Sequence, residues 1–312
     1  MIIESRPLGK SGNCLVTIAI GEKFFNEWQN YALPCWQAYA EKHDLGILCI
    51  TDHLICEGHL KWKKPTWQKL LLGKHLLQHY QNIGSVCYID TDIIVNSHSP
   101  DIFNYYDGSS YGLVSKFKNL PFDLEITSRI FSFFRNEFYD KNYPLDSSVF
   151  MSPQKIYLDA KLEPFDDYAC AGLIMFNPHK SSDEMESWFH KYTFETKSIT
   201  GGDQTHLNWE MRATGRVQDL PYEYQALWLF EMAWKYPFLY YEHNRDSDLI
   251  KDCIETSLLC NHFLHFAGSW YESDMWLIKD IATSNKFNEI NLGFKKYLDL
   301  PVTGRPKGFV KP

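Results

Sequence analysis

The chain has 312 residues, 45% of them apolar, and a formal net charge of −8. This size and apolar content allow one large α/β domain with a full core and exclude a largely disordered chain. The acidic balance argues against a nucleic-acid-binding protein, whose surface carries an excess of Lys and Arg.

Targeting signals and membrane spans are not evident in the sequence. No apolar run approaches the ~18 residues that a membrane-spanning helix needs, and the first ten residues do not have the pattern of a signal peptide. The eight cysteines include no C-x-x-C pair, and several lie inside apolar runs, which is typical of reduced, buried thiols. We therefore expect a cytoplasmic protein without a transmembrane segment.

The first part of the chain alternates short apolar, β-branched runs with segments of helical period. The runs predict strands at 14–20, 45–51 and 86–89, and the periodic segments between them predict helices at 25–42 and 67–80. Strand, helix, strand, helix, strand is the pattern of a mostly parallel sheet with crossover helices on its faces.

The later chain returns to this pattern after an interruption. Residues 116–165 are rich in aromatic residues and prolines without a clear period, and we interpret them as an insertion. A strand at 171–176, helices at 183–192 and 203–211 and a late apolar segment at 263–267 follow. The sequence thus predicts one domain over 1–312, with a first half (11–115), the insertion, a second half (166–280) and a tail (281–312).

The tail is basic towards its end, from residue 295 onward. We interpret residues 295–312 as a solvated terminus. Peripheral contact with an anionic membrane is the alternative.

Asp90-Thr91-Asp92 is the motif that points most directly to chemistry. It follows the predicted strand 86–89, so both aspartates lie at the carboxyl end of a buried strand, where open α/β sheets bind ligands. Two carboxylates one residue apart can converge on a hard divalent cation, which can also bind a diphosphate. The alternative is a loop of solvated acids, but the apolar flanks disfavour it because buried acids need a partner.

Four segments in the same order resemble glycosyltransferase family 8, which includes glycogenin and the bacterial lipopolysaccharide galactosyl- and glucosyltransferases. The segments are Leu15-Val16-Thr17-Ile18-Ala19, Trp67-Gln68-Lys69-Leu70 with Tyr88-Ile89-Asp90-Thr91-Asp92-Ile93, Gly201-Gly202-Asp203-Gln204-Thr205-His206-Leu207-Asn208, and His265-Phe266-Ala267-Gly268. The resemblance spans roughly Leu15 to Trp270. It implies a GT-A fold, which is Rossmann-like, with a nucleotide-binding half at 11–115 and a sugar and acceptor half at 166–280.

The resemblance also implies roles for the matching residues. Asp90, Asp92 and His265 would bind Mn²⁺ or Mg²⁺, and an imidazole ligand suits the softer Mn²⁺. Lys69 would meet the donor sugar or phosphate. Asp203 and Gln204 would be the catalytic residues of the sugar pocket, with Gln204 beside the anomeric carbon. The other residues implied in nucleotide-sugar binding are Thr17, Ile18, Ala19, Thr91 and Gly268.

The residues by themselves leave simpler interpretations open. Lys69 is alternatively a surface lysine of an amphipathic helix. Asp203 is alternatively a helix cap. His265 is alternatively a buried structural histidine, and His262 competes with it as the metal ligand.

Three positions depart from the family's pattern. The family places Lys-Pro-Trp after the late His-x-x-Gly to grip the diphosphate, but no lysine follows Gly268 here. Ile20-Gly21-Glu22 follows the first strand, where the family usually has Asp or Asn. Cys170-Ala171 precedes Gly172, where the family has Asn-Ser.

The leading hypothesis is a retaining, Mn²⁺-dependent glycosyltransferase. It would move a hexose or pentose from a nucleotide-sugar to a carbohydrate acceptor that the insertion helps to bind. A UDP-sugar is the leading candidate for the donor. The second hypothesis, a sugar-phosphate nucleotidyltransferase, is disfavoured because the loop at 20–23 is neither Gly-rich nor strongly basic. The third is a carbohydrate-binding protein with a decayed donor site, and the missing lysine is its best support.

Overall fold

The computed structural model describes residues 1–138, 148–193, 202–241, 246–268 and 272–298. Some predicted features lie wholly or partly outside these ranges. They are Gly201 at the start of the Gly-Asp-Gln segment, part of the insertion, Trp270 at the end of the family resemblance, and the basic end of the tail.

The described strands and helices alternate through most of the chain. The strands are β1 (Ile2–Arg6), β2 (Cys14–Ile18), β3 (Gly46–Ile50), β4 (Val86–Ile89), β5 (Ile93–Val95), β6 (Tyr111–Val114), β7 (Leu173–Phe176), β8 (Val217–Leu220), β9 (Ala226–Leu227) and β10 (Phe263–His265). The α-helices are α1 (Glu22–Glu27), α2 (Leu33–His43), α3 (Pro65–Gln68), α4 (Leu72–His79), α5 (Leu124–Phe138), α6 (Pro153–Asp159), α7 (Pro178–Lys191), α8 (Gln204–Ala213), α9 (Trp228–Lys235), α10 (Ser247–Cys260) and α11 (Asn285–Leu298).

A seven-stranded sheet in the order β1-β3-β2-β4-β7-β6-β8 forms the centre of the molecule. β2, β3, β4, β6 and β8 run in one direction, and β1 and β7 run against them. Helices cover both faces of this sheet. The prediction of an α/β fold with a mostly parallel central sheet flanked by helices is confirmed.

Alternation along the strands explains why both faces of the sheet are covered. Leu15 and Ile47 belong to the hydrophobic cluster that contains Trp36 of α2, whereas Val16 and Leu48 belong to the cluster that contains Leu76 of α4. Successive side chains of a strand point to opposite faces. A strand that is apolar at every position must therefore lie between two layers, as β2 and β3 do.

A smaller sheet, in the order β5-β10-β9, lies beyond the carboxyl end of β4. β5 pairs antiparallel with β10, which places His265 opposite Ile93, and β9 pairs parallel with β10, which places Leu227 beside His265. The chain after Asp90-Thr91-Asp92 therefore meets a segment that follows it by more than 160 residues in the sequence.

The insertion is more regular than its sequence pattern indicated, since α5 and α6 lie inside residues 116–165. The other predicted strands and helices lie within a few residues of the observed ones. Within the described ranges, no helix combines the length and the apolar character that crossing a bilayer requires.

Candidate functional site

Asp90 is the first residue after β4, and its backbone is tied to the neighbouring strand. Its N–H donates to the carbonyl of Gly172 over 2.8 Å. The Tyr88 hydroxyl donates to Oδ1 of Asp90. The remaining carboxylate oxygen, Oδ2, lies 3.8 Å from Nε2 of His265. One oxygen of Asp90 is thus held by the protein, and the other is directed towards the imidazole.

Pairing between β5 and β10 brings His265 to the two aspartates. The N–H of Phe266 donates to the carbonyl of Asp92 over 3.0 Å, and Nε2 of His265 lies 3.3 Å from Oδ1 of Asp92. The ligand atoms of Asp90, Asp92 and His265 lie within 4.8 Å of one another. Their side chains are 34%, 26% and 2% exposed, so the cluster is buried at the imidazole and open at the carboxylates.

The three side chains fit a divalent cation. Oδ1 of Asp92 is buried and lies 3.3 Å from Nε2 of His265. If the imidazole gives up its Nε2 proton, a cation can replace that proton as the partner of this buried oxygen. Two carboxylates and one imidazole form a mixed oxygen and nitrogen set that suits Mn²⁺. His262, the competing candidate, is not part of this group, and its ring packs on Tyr224 with centroids 4.6 Å apart.

A proton competes with a cation at His265. Burial lowers the pKa of the His265 imidazole, but the adjacent Cys170 and Asp92 outweigh burial and hold this pKa well above its ordinary value. The free protein therefore keeps a proton on Nε2, facing Asp92. Because a metal ligand must give up its proton, cation binding here is expected to release a proton and to weaken as the pH falls.

Gln225, which sequence analysis did not single out, determines which nitrogen of His265 faces the aspartates. It is buried directly before β9. In the amide orientation that satisfies both ends, its oxygen accepts from the Leu173 N–H (2.8 Å) and from Nδ1 of His265 (3.2 Å), while its nitrogen donates to the Cys170 carbonyl (3.2 Å). A proton held on Nδ1 leaves Nε2 for the cation, as partners of metal-binding histidines usually do.

Replacing Gln225 with leucine is expected to weaken Mn²⁺ binding by about 10-fold, because the imidazole loses the acceptor that orients it. Titration calorimetry with Mn²⁺ measures this loss. Gln225→Glu keeps an acceptor for Nδ1 and is expected to retain more of the affinity than Gln225→Leu. Gln78→Leu, on the exposed side of α4, is the matched control, and equal affinity in Gln225→Leu and Gln78→Leu would contradict the orienting role.

Gly172 leaves room for the side chains of His265 and Asp90. A Cβ at this position would lie 2.2 Å from Cε1 of His265 and 2.7 Å from Oδ2 of Asp90. Both distances are shorter than any van der Waals contact between heavy atoms allows. Only glycine lets β7 pass this close to both side chains.

Lys69 and Asp203 form a buried ion pair beside this site. Nζ of Lys69 lies 3.3 Å from Oδ2 of Asp203, and both side chains are 4% exposed. The interpretation of Lys69 as a surface lysine is therefore wrong. Asp203 precedes α8 but its side chain makes no capping hydrogen bond, so the interpretation as a helix cap is also wrong.

The charges of this pair depend on each other. Burial raises the pKa of the Asp203 carboxyl group, and Lys69 opposes that rise. Burial lowers the pKa of the Lys69 ammonium group, but Asp203 and Asp90 outweigh it and raise the pKa above its usual value. A buried ammonium group next to two carboxyl groups keeps its proton, so Lys69 carries its positive charge in this pair.

Lys69 and Gln204 hold the same loop from two sides. Nζ of Lys69 donates to the Ala171 carbonyl over 3.0 Å. Oε1 of Gln204 accepts from the Ala171 N–H over 3.1 Å, and its Nε2 donates to the Tyr168 hydroxyl over 3.1 Å. The predicted sugar-pocket residues are thus gathered around the loop that leads to Gly172 and to the cluster of Asp90, Asp92 and His265.

The predicted nucleoside-binding segment is only partly accessible. A cavity of about 460 Å³ opens at the carboxyl ends of β2 and β3, and its lining includes Ala19, Gly21, Glu22, Phe25 and Asp52. Thr17 is fully buried and Ile18 does not line the cavity. Gly268 is exposed beyond β10 with a positive φ of 111°, and Thr91 lies partly exposed between the two aspartates.

Comparison with known proteins reveals likeness in structure. No protein-family model matches the sequence, and no curated protein sequence matches it. The chain is similar to the apo structure of the bifunctional glycosyltransferase WbbM, with 14% identity and a TM-score of 0.52. This match covers 91% of the chain but 52% of WbbM, so the chain spans about half of that protein.

Two further solved structures were matched. One is a glycosyltransferase involved in the glycosylation of the major capsid of PBCV-1 (8% identity, TM-score 0.46, 84% of this chain and 97% of that chain). The other is the galactosyltransferase LgtC with donor and acceptor sugar analogues (14% identity, TM-score 0.41, 90% and 95%). From the WbbM match we take a shared fold.

Proposed function

We propose that this protein is a metal-dependent glycosyltransferase that moves a sugar from a nucleotide-sugar, first of all a UDP-sugar, to a glycan acceptor. The convergence of Asp90, Asp92 and His265 within 4.8 Å carries the proposal. This cluster follows β4, at the same edge of the sheet as the cavity beyond β2 and β3. The fold shared with WbbM supports the proposal.

Each part of the site has a role in this proposal. Asp90, Asp92 and His265 hold Mn²⁺ or Mg²⁺, and the bound cation supplies positive charge to a diphosphate leaving group. The cavity at the ends of β2 and β3 takes the nucleoside. Asp203 and Gln204 line the sugar pocket, and Gln204 lies beside the anomeric carbon.

The insertion offers a place for the acceptor. A groove of about 550 Å³ lies between α5 and the segment that leads into α6. Its lining combines apolar and polar side chains, including Phe117, Leu124, Ser128, Arg129, Phe150 and Ser152. This volume is within the usual range of small-molecule sites, and aromatic faces beside hydroxyl and guanidinium groups suit a carbohydrate.

A panel of nucleotide-sugars tests the proposal. We expect hydrolysis of at least one donor with Mn²⁺, loss of that activity with a chelator, and retained anomeric configuration in the transferred sugar by NMR. Release of pyrophosphate from a nucleoside triphosphate and a sugar phosphate would instead indicate a nucleotidyltransferase. Glycan binding without metal-dependent affinity for any nucleoside diphosphate would indicate a carbohydrate-binding protein.

A further inference from the structure

Lys116 is a cationic residue next to the sugar pocket that the proposed transfer does not use. It lies just beyond β6, where a bridge between Ser115 and Ala169 holds it against the loop before β7. Its N–H donates to the Tyr168 carbonyl over 2.9 Å. Its Nζ lies 5.7 Å from the centroid of the Tyr168 ring.

The Tyr168 ring connects Lys116 to the predicted catalytic residue. The hydroxyl of Tyr168 accepts from Nε2 of Gln204 over 3.1 Å and shares a hydrogen bond with Oγ1 of Thr205 over 3.0 Å. The ammonium group of Lys116 and the carboxamide of Gln204 therefore contact the same aromatic side chain. This places a positive charge in the sugar half of the site.

That charge lacks a carboxylate within the described part of the chain. Lys69 pairs with Asp203 over 3.3 Å and Lys118 with Asp167 over 3.7 Å, whereas no described Asp or Glu lies within ion-pair distance of Lys116. Burial lowers the pKa of the Lys116 ammonium group. A partly buried ammonium group in such surroundings gains from an anionic ligand.

The anion is not expected to be the diphosphate of the donor. A cation held by Asp90, Asp92 and His265 would lie on the Nε2 side of the imidazole. Nζ of Lys116 instead lies against the Tyr168 ring, 5.7 Å from its centroid, and the hydroxyl of Tyr168 accepts from Gln204, the residue that the proposed function places beside the anomeric carbon. Since the diphosphate binds the cation, an anion at Lys116 belongs to a sugar.

We propose that Lys116 binds an anionic substituent, a carboxylate or a phosphate, on one of the two sugars that meet at Gln204. The substituent lies either on the transferred sugar or on the accepting sugar. This inference rests on the proposed glycosyl transfer and adds the chemical class of the substrate: a uronic acid or a phosphorylated sugar.

Matched pairs of substrates test the inference. The donors are UDP-glucose against UDP-glucuronate and UDP-galactose against UDP-galacturonate, and the acceptors are glucosides against the corresponding glucuronides and 6-phosphates. We expect wild type to favour the charged member in one panel by about 10-fold or more in kcat/KM. That panel identifies which sugar carries the charge.

Variants of Lys116 distinguish recognition of the anionic substituent from a purely structural role of this side chain. Lys116→Met is expected to reduce the preference to about 1 and to leave turnover of the neutral member nearly unchanged, whereas Lys116→Arg retains the preference. Lys118→Met removes the same charge two residues away and should retain it too. An equal loss for charged and neutral substrates in Lys116→Met would overturn the inference.

Two other outcomes distinguish failure of this inference from failure of the proposed function. If wild type turns over a donor but shows no preference for charge in either panel, this inference is wrong and the proposed function stands. If wild type turns over and binds no nucleotide-sugar at all, the proposed function fails, and the inference fails with it.

Discussion

Replacing Asp92 with asparagine is expected to weaken Mn²⁺ binding by about 100-fold or more and to reduce sugar transfer to its background rate. Asparagine keeps the shape of the side chain but removes the charge of the oxygen that lies 3.3 Å from Nε2 of His265. That oxygen is buried, and in the proposed site a cation replaces the Nε2 proton of His265 as its partner. Titration calorimetry with Mn²⁺ and donor hydrolysis measure the two effects.

The fold should tolerate this change. Asp92 contacts β10 through its backbone carbonyl, which accepts from the Phe266 N–H, and through its side chain, which faces His265. Asparagine keeps the first contact and provides an oxygen for the second. Thermal unfolding of Asp92→Asn should therefore stay close to that of wild type in the absence of metal. Asp159→Asn, on the exposed end of α6, makes the same chemical change away from the site. Wild-type Mn²⁺ affinity in Asp92→Asn would show that the cluster is not the metal centre.

Replacing Gly172 with alanine is expected to abolish metal binding to a similar degree for a steric reason. The added Cβ would lie 2.2 Å from Cε1 of His265 and 2.7 Å from Oδ2 of Asp90. Neither neighbour is free to move away, since His265 is in β10 and bonded to Gln225, and Asp90 is bonded to Tyr88. We expect at least a 100-fold loss of Mn²⁺ affinity and about 1–3 kcal/mol of destabilisation, the usual cost of overpacking.

A second glycine separates this effect from glycine substitution in general. Gly293 lies in α11 with open space around its Cβ position. Gly293→Ala should leave Mn²⁺ binding unchanged and stabilise the protein by about 0.5–1 kcal/mol, because alanine favours the helix. If Gly172→Ala also retained its Mn²⁺ affinity, β7 would have to shift away from the site at little cost, contrary to its pairing on both sides.

Strands of the central sheet could be predicted because each is marked by a run of apolar residues that are neighbours in the sequence. β2, β3 and β4 are continuous apolar runs, and each has neighbours on both faces. β5, β9 and β10 are two or three residues long, which is too short for a period to be read. β1, with its partly exposed side chains, was not predicted either, since its place at the sheet edge follows from pairing with β3.

The candidate metal ligands show the same division between local and tertiary information. Asp90 and Asp92 are neighbours in the sequence, and the apolar strand before them indicated where they lie. His265 was proposed through the family resemblance, with His262 as its competitor. Their spacing of three residues places them on opposite faces of an extended segment, and the pairing of β5 with β10 decided which face meets the aspartates.

Local pattern therefore determined the α/β class, the central strands and the Asp-Thr-Asp motif, because each depends on residues close together in the chain. Only the tertiary structure provides the contacts behind the proposed roles of Gln225, Gly172 and Lys116, because their partners are distant in sequence. Gln225 meets His265 through the pairing of β9 with β10. Gly172 is needed because a Cβ at this position would collide with His265 and Asp90. Lys116 is notable because no described carboxylate lies within ion-pair distance of it. Neither property can be recognised before the surrounding atoms are in place.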